Sequence, residues 1–309
     1  MTLEEVILLF REKPYYIKQG KYQTAKRLKI TPEMVDQAKE AIRGVSLSPS
    51  TSVKGPRILI LDIETTPMQA YVWKRWKENV SLDQTIAEWF MICWSAKWLG
   101  EDEAFGDCCT PDEMLEEDDM RICYSLWNVL NEAEIVIAHN GSHFDVPMIN
   151  SRLAIHGFLP PSPYRQIDTL DVAKKSFKFS SNKLDALAGY FNIEHKDPTD
   201  FKLWKACMEG NQEALDYMFS YNKKDVEILE QVYYKIRPWI KNHPNLATIN
   251  MTEELLCPIC GSKNVFPIPG KFAGTAVSQY QVYRCKDCFA VVRGREKINE
   301  KVQTNAFLA

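Results

Sequence analysis

Three short segments of this 309-residue sequence could bring acidic side chains together. In LDIET, Asp62 and Glu64 stand two apart at the end of an apolar run. Residues i and i+2 of a strand face the same side, so both carboxylates can enter one pocket. Two like charges there are costly unless a cation lies between them, and a divalent metal is the simplest answer. Pairs of this kind also occur at ordinary strand ends and helix caps. In HNGSHFDVPMI, Asp145 follows an apolar strand and opens a helical stretch, where it could ligate a metal or merely cap the helix. In YNKKD, Tyr221 and Asp225 stand four apart on a helical pattern and share a face. The bland alternative is a core tyrosine beside an exposed aspartate. A separate constellation lies further on, where Cys257-x-x-Cys260 and Cys285-x-x-Cys288 are separated by 24 residues. That is the spacing of a four-cysteine zinc ribbon, and it predicts one structural Zn²⁺. A redox pair would need a surrounding βαβ pattern, which is missing here.

These residues need elements to hold them. RILILDIETTP reads as a buried strand ending on the first acid pair, and FMICWSAKWL and Ala104 to Cys108 read as further strands. The acidic stretch Asp112 to Asp119 predicts a surface helix reaching Asn131, and EIVIAHNG a covered strand. From Phe144 to Lys241 the pattern is mainly helical. It is interrupted by a short strand near Ile167 and by loops at Pro160 to Pro163 and His195 to Pro198. Strands first, then helices to cover them, define an α/β layer architecture.

At the amino end, Thr2 and Glu5 have capping-box spacing, and QTAKRLKITPEMVDQAKEAI reads as a helix-turn-helix. Its core would be Ala25, Leu28, Ile30, Val35, Ala38 and Ile42, with Thr31 as cap and Gly44 as terminator. The second helix carries Glu33, Asp36 and Glu40 as well as Lys39 and Arg43, so contact with DNA there competes with a docking or structural role. The division predicted is a helix-turn-helix-like segment at 1–44, a Ser/Pro-rich linker at 45–55, a catalytic α/β domain at 56–250 and a zinc ribbon at 251–309.

Taken together and in this order, D-x-E, N-x-x-x-F-D and Y-x-x-x-D resemble the three exonuclease motifs of the DnaQ-like, or DEDD, superfamily. The tyrosine variant, DEDDy, is found in the proofreading domains of family B DNA polymerases. The intervening DTLDVAKKSFKFSSNKLDALAGYF is similar as well, and the resemblance spans roughly residues 56 to 240. It implies an RNase H-like mixed sheet flanked by helices and a 3′→5′ exonuclease that uses two Mg²⁺ or Mn²⁺ ions. Two metals about 3.5–4 Å apart can activate a water and neutralise a leaving oxygen, and hard cations take oxygen ligands. By the same resemblance Asp62 bridges the metals, Glu64 and Asp225 complete one site, Asp145 acts through water and Tyr221 orients the attacking water. Asn140 and Phe144 would hold the terminal nucleotide, and the backbone of Ile63 and Thr65 its sugar. Asp168 and Asp171 have no ligand role in that pattern and are predicted to be capping or structural. His139 and His143 are not expected to be catalytic, because the histidine variant needs His where Tyr221 stands.

Composition is compatible with this reading. The net charge of −3 hides a split of +4 over residues 1–55, −10 over 56–250 and +3 over 251–309. An acidic centre suits a binder of polyanions only if some carboxylates hold metal, and the basic ends could contact phosphate. Tyr280, Tyr283, Arg284, Lys286, Arg293 and Arg295 could grip a strand through stacking and phosphate contacts. The partner expected is nucleic acid, with a single-stranded 3′ end foremost and DNA ahead of RNA; a protein partner could dock on the terminal segments. The alternatives left open are an RNA exonuclease, a structure-specific nuclease on the same scaffold, or a non-cutting adaptor. The opening MTLEEVILLF has no basic region followed by an uncharged apolar stretch, and no run of about 18 apolar residues occurs. The expectation is a cytoplasmic protein with reduced cysteines and no membrane segment.

Overall fold

The structure, a computed structural model, describes residues 1–12, 16, 21–43, 55–193, 199–249 and 254–298. Gly44, residues 45–54 of the expected linker, the expected loop at 195–198 and the side chains of Glu40, Ile42 and Arg43 lie outside what is described.

Among the described residues the amino-terminal unit contains α1 (Leu3–Glu12), α2 (Lys21–Leu28) and α3 (Pro32–Arg43). The capping box at Thr2 and Glu5 is formed in both directions, at 2.8 and 3.2 Å. Thr31 Oγ1 accepts from the Met34 amide at the start of α3. The turn between α2 and α3 uses Lys29 at φ +54. Val6, Phe10, Ala25, Val35 and Ala38 are buried together, with Leu28 and Ile30 packed against them.

The central sheet has five strands in the order β5-β4-β1-β6-β7: β1 (Ile58–Thr65), β4 (Met91–Trp98), β5 (Phe105–Cys108), β6 (Ile135–Ala138) and β7 (Arg165–Asp168). β1 runs antiparallel to β4 and parallel to β6, and β6 runs parallel to β7. The sheet is therefore mixed, as the RNase H-like expectation required. A two-stranded ribbon, β2 (Gln69–Ala70) with β3 (Thr85–Ala87), projects between β1 and β4.

Period-2 alternation sends Leu59, Leu61 and Ile63 of β1 into one core and Ile58 and Ile60 into the other. The first core is closed by α5 (Met120–Glu132) and α6 (Asp145–Ile155) through Leu126, Leu130 and Ile149. The second is closed by α8 (Leu184–Tyr190) and the long helix α10 (Gln212–Ile236) through Leu187, Val226, Leu229 and Val232. Short helices α4 (Pro111–Leu115), α7 (Thr169–Ser176) and α9 (Phe201–Met208) fill the edges. After α11 (Leu246–Ile249) comes a small antiparallel sheet in the order β10-β9-β8, from β8 (Val265–Gly274), β9 (Gln279–Cys285) and β10 (Val291–Lys297). No helix among the described residues is long and apolar enough to cross a membrane.

One element differs from its sequence expectation. The acidic stretch does not open a single surface helix. It is split into α4, capped by Thr110 and Glu113 with Pro111 in the first turn, and α5, which starts only at Met120. The break occurs because Asp119 is drawn fully inside, 0% exposed. It accepts from Arg152 Nε (2.8 Å) and Nη2 (2.7 Å), the Met91 amide (2.8 Å) and His156 Nε2. Burial alone would raise that carboxyl, but the hydrogen bonds from His156 and Arg152 outweigh it and hold it below the usual carboxylate range. Asp119, Cys123 and His156 lie close enough to hold a metal. The Arg152 guanidinium already supplies the positive charge there, so the cluster is a buried ion pair.

Candidate active site

Alternation along β1 decides where the acids go. Asp62 and Glu64 share the parity of Ile58 and Ile60, so they face the side on which α10 packs through Val226 and Leu229. Asp225 immediately precedes Val226 on that helix. Oxygen atoms of Asp62, Glu64 and Asp225 consequently lie within 4.8 Å of one another, although Asp225 is far away in sequence. A hard, all-oxygen donor set of this kind fits Mg²⁺ or Mn²⁺.

Asp145 is not within that group. It is 1% exposed, and its Oδ1 accepts from the Ile63 amide, at 3.2 Å, between the two acids of β1. Burial pushes the Asp145 carboxyl up to about 7, helped by the nearby charge of Asp168 and opposed by backbone amides, including that of Ile63. The Ile63 amide, expected to face a terminal sugar, is thus engaged by Asp145. Thr65 lies just beyond a register shift in the β1–β4 ladder and is half-buried.

Parallel pairing of β1 with β6 covers only Ile58 to Ile60. Among the described residues no strand ladder flanks β1 on that side beyond Ile60, and the segment Asn140 to Asp145 lies beyond the end of β6. Asp168, at the end of β7, shapes that segment: its carboxylate accepts from the amides of Asn140 and Ser142 at 3.0 Å each, and also caps α7 through the amide of Leu170. Asn140 adopts φ +73. Gly141 is required by close approach, since a Cβ there would sit 2.4 Å from the Ala138 Cβ. The result leaves Phe144 39% exposed at the head of α6, where an aromatic face is available to a ligand. His139 is used structurally, one ring nitrogen meeting Thr169 Oγ1 at 2.9 Å and the other the Asn182 carbonyl at 3.0 Å. Tyr221 is half-buried one helical turn before Asp225 and packs against the core around β4.

One residue of the site, Asn222, and one buried acid outside it, Asp119, carry no chemical signal in the sequence. Asn222 is fully buried, and its amide donates to Asp62 Oδ2 at 2.6 Å, fixing the carboxylate's orientation. The available signal was its place three residues before Asp225, on the same helix face. Asp119 was missed because it looked like one more charge in an acidic surface run.

The four cysteines also converge. Sγ atoms of Cys257 and Cys288, and of Cys260 and Cys285, are each 3.6 Å apart. A disulfide would require about 2 Å, whereas tetrahedral Zn–S bonds of about 2.3 Å put sulfurs about 3.8 Å apart. The set therefore fits Zn²⁺. Turns at Gly261 (φ +73) and Phe289 (φ +63) complete the two knuckles. Between this unit and the carboxyl end of α10 lies a cavity of about 920 Å³ lined by Arg237, Trp239, Lys241, Arg284 and Phe289. Trp239 and Lys241 also border a second cavity, of about 290 Å³, that reaches Ser142 and Asp168.

With this geometry in place, the comparisons with known proteins become informative. The family model RNase_H_2, of the RNase_H superfamily, matches residues 110–237, less than half of the chain. That stretch contains Asp145, Tyr221 and Asp225 but not β1. A 63-residue stretch is 36% identical to a DNA polymerase III PolC-type of Ureaplasma parvum, covering 20% of this chain and 4% of that protein. Among solved structures, the family B DNA polymerase from the archaeon Pyrobaculum calidifontis matches with a TM-score of 0.44 and 14% identity, over 59% of this chain and 25% of its own. The chain thus spans a small part of either polymerase. The centre of the chain has an RNase H-like fold, and a four-cysteine cluster follows it.

Proposed function

We propose that the protein is a metal-dependent 3′→5′ exonuclease acting on the end of a nucleic acid strand, DNA in the first instance. The observation that carries this reading is the meeting of Asp62, Glu64 and Asp225 within 4.8 Å at the open end of an RNase H-like sheet. Two Mg²⁺ or Mn²⁺ ions would be held by Asp62, Glu64 and Asp225, with Asp145 contributing through water, and they would supply the Lewis acidity that phosphodiester hydrolysis needs. The chain's own groups do the remaining work. Asn222 fixes the Asp62 carboxylate, and Asp145 ties α6 to β1 through the Ile63 amide. Tyr221, a phenol that is a poor base at neutral pH, positions the attacking water rather than deprotonating it. Asn140 and Phe144 flank the terminal nucleotide, on a loop that Asp168 holds rigid.

The outlying units grip the strand. A structural Zn²⁺ on Cys257, Cys260, Cys285 and Cys288 would hold the fold of the ribbon. The two cavities that share Trp239 and Lys241 in their walls, the larger also lined by Arg284, would give phosphate and base contacts on that flank. The amino-terminal helix-turn-helix-like unit adds contacts to nucleic acid or to a protein partner. The test is incubation of the purified protein with 3′- and 5′-labelled single-stranded and duplex DNA and RNA, with and without Mn²⁺. A ladder shortening from the 3′ end supports the reading. Products cut internally, or no products while binding persists, would replace it with a structure-specific nuclease or a binding protein.

A further inference from the structure

The ribbon β2–β3 carries a loop whose construction has no part in the chemistry above. Tyr71 and Gln84 close its neck: the Tyr71 amide donates to the Gln84 carbonyl at 2.9 Å, and Gln84 Nε2 donates to the Tyr71 carbonyl at 3.0 Å. Ser81 locks the Gln84 side chain from the other side, its amide and hydroxyl donating to Oε1 at 3.0 and 2.8 Å. Below the neck the chain is anchored in the sheet. The buried Thr66 exchanges hydrogen bonds with the Phe90 backbone, and the adjoining Trp89 carbonyl and Met91 amide are held by Arg152 and Asp119.

Above this rigid root the side chains face solvent. Trp73 is 93% exposed, Trp76 82% and Tyr71 73%, and Lys74, Arg75 and Lys77 interleave with them. Several large aromatic side chains exposed on one hydrogen-bonded loop mark a binding surface. Three cations within WKRWK, in a segment whose net charge is −10, specify a polyanion. Gln69, where the ribbon starts, is five residues beyond Glu64, so it lies at most about 18 Å from that acid along an extended chain.

We infer that the loop Tyr71 to Gln84 is a stacking platform for single-stranded nucleic acid, with Trp73 and Trp76 receiving unpaired bases and Lys74, Arg75 and Lys77 their phosphates. It delivers an unpaired strand to the carboxylates and selects it over duplex, whose bases are already stacked and shielded. The inference rests on the exonuclease reading only for the direction in which the strand is fed.

The test separates binding from cutting. Fluorescence anisotropy of labelled single-stranded oligonucleotides, and of a blunt duplex, is measured in Ca²⁺ for the full chain and for Trp73→Ala/Trp76→Ala, Trp73→Phe/Trp76→Phe and Lys74→Ala/Arg75→Ala/Lys77→Ala. Single-strand affinity should fall roughly 5- to 150-fold per lost stacking contact in the alanine variant and be largely kept by phenylalanine. The triple variant should flatten the salt slope by about 2, at about 0.7 per phosphate contact on a single strand. Melting temperature should not move, since both tryptophans are exposed. If the wild-type chain binds single strands through the loop but cuts nothing, the platform stands and the nuclease reading falls. Equal affinity of wild-type and alanine variants overturns the platform and returns the patch to a protein partner. Equal losses on duplex and single strand overturn its selectivity.

Discussion

Removing Asp119 should be one of the most damaging single changes to stability, although the residue is not one of the clustered carboxylates Asp62, Glu64 and Asp225. Asp119→Ala leaves the Arg152 guanidinium, 7% exposed, without its counter-charge and orphans the Met91 amide. Breaking a buried ion pair from one side costs about 3–5 kcal/mol, and an unsatisfied buried amide about 1–3. The two overlap at one site, so about 4 kcal/mol is expected rather than their sum. At roughly 2–4 °C per kcal/mol for a cooperative unit of this size, the melting temperature should fall by about 8–16 °C. Urea unfolding followed by far-ultraviolet circular dichroism should show a lower midpoint at unchanged m. Asp119→Leu/Arg152→Leu should recover much of the loss, because no charge is then stranded.

The pH dependence of the same site has a definite sign. The folded Asp119 carboxyl is held below its unfolded value, so its contribution is complete above about pH 4. It is lost as pH falls below that through the lowered folded value. The wild-type chain should therefore lose this component on acidification, and Asp119→Ala should lack it. A loss under about 1 kcal/mol, or a double variant less stable than the single one, would refute the account of a buried, mutually dependent pair.

Asp62→Asn and Asp225→Asn should abolish cleavage while the chain stays folded, because each relieves carboxylate repulsion and Asp62→Asn keeps an acceptor for the Asn222 amide; unfolding would make the residues structural. Ca²⁺ should support substrate binding with little turnover, since its looser coordination misplaces the attacking water, and equal rates with Mg²⁺ would count against the mechanism. Mass spectrometry of metals should find one zinc per chain, lost in Cys285→Ser, with cleavage of a saturating short oligonucleotide largely kept. Gly141→Ala should cost about 1–3 kcal/mol by overpacking against Ala138 and should also impair turnover through the displaced Asn140; a neutral outcome in both would show that the loop can yield.

Period-2 and period-3.6 patterns made β1, β4 and β6 and the amino-terminal helices α2 and α3 legible, because burial on a fixed face leaves a direct imprint on residue order. The same alternation put Asp62 and Glu64 on one side of β1, and the four-residue spacing put Tyr221 and Asp225 on one side of α10. What sequence could not give was partnership across the fold. Asp119 reads as a surface charge until Arg152 and His156 are seen around it, and Asn222 reads as a filler between two motif residues until its amide meets Asp62. The β2–β3 neck was invisible for a different reason. Its strands are too short to show alternation, and the closure depends on the side chain of Gln84 rather than on a turn signature.

The long-range contacts of the carboxylate centre also bear on when in folding that centre is assembled. The Asn222–Asp62 hydrogen bond spans 160 residues of sequence, and the Asp145–Ile63 contact 82. Local helices such as α10 can form early, but loop closure over such separations comes late and slowly. A fragment ending before residue 225 lacks Asp225 and so cannot assemble the three-carboxylate group, and the proposed activity should be absent from it. On refolding, helical signal should return before catalytic competence, which makes activity a reporter of completed topology rather than of secondary structure.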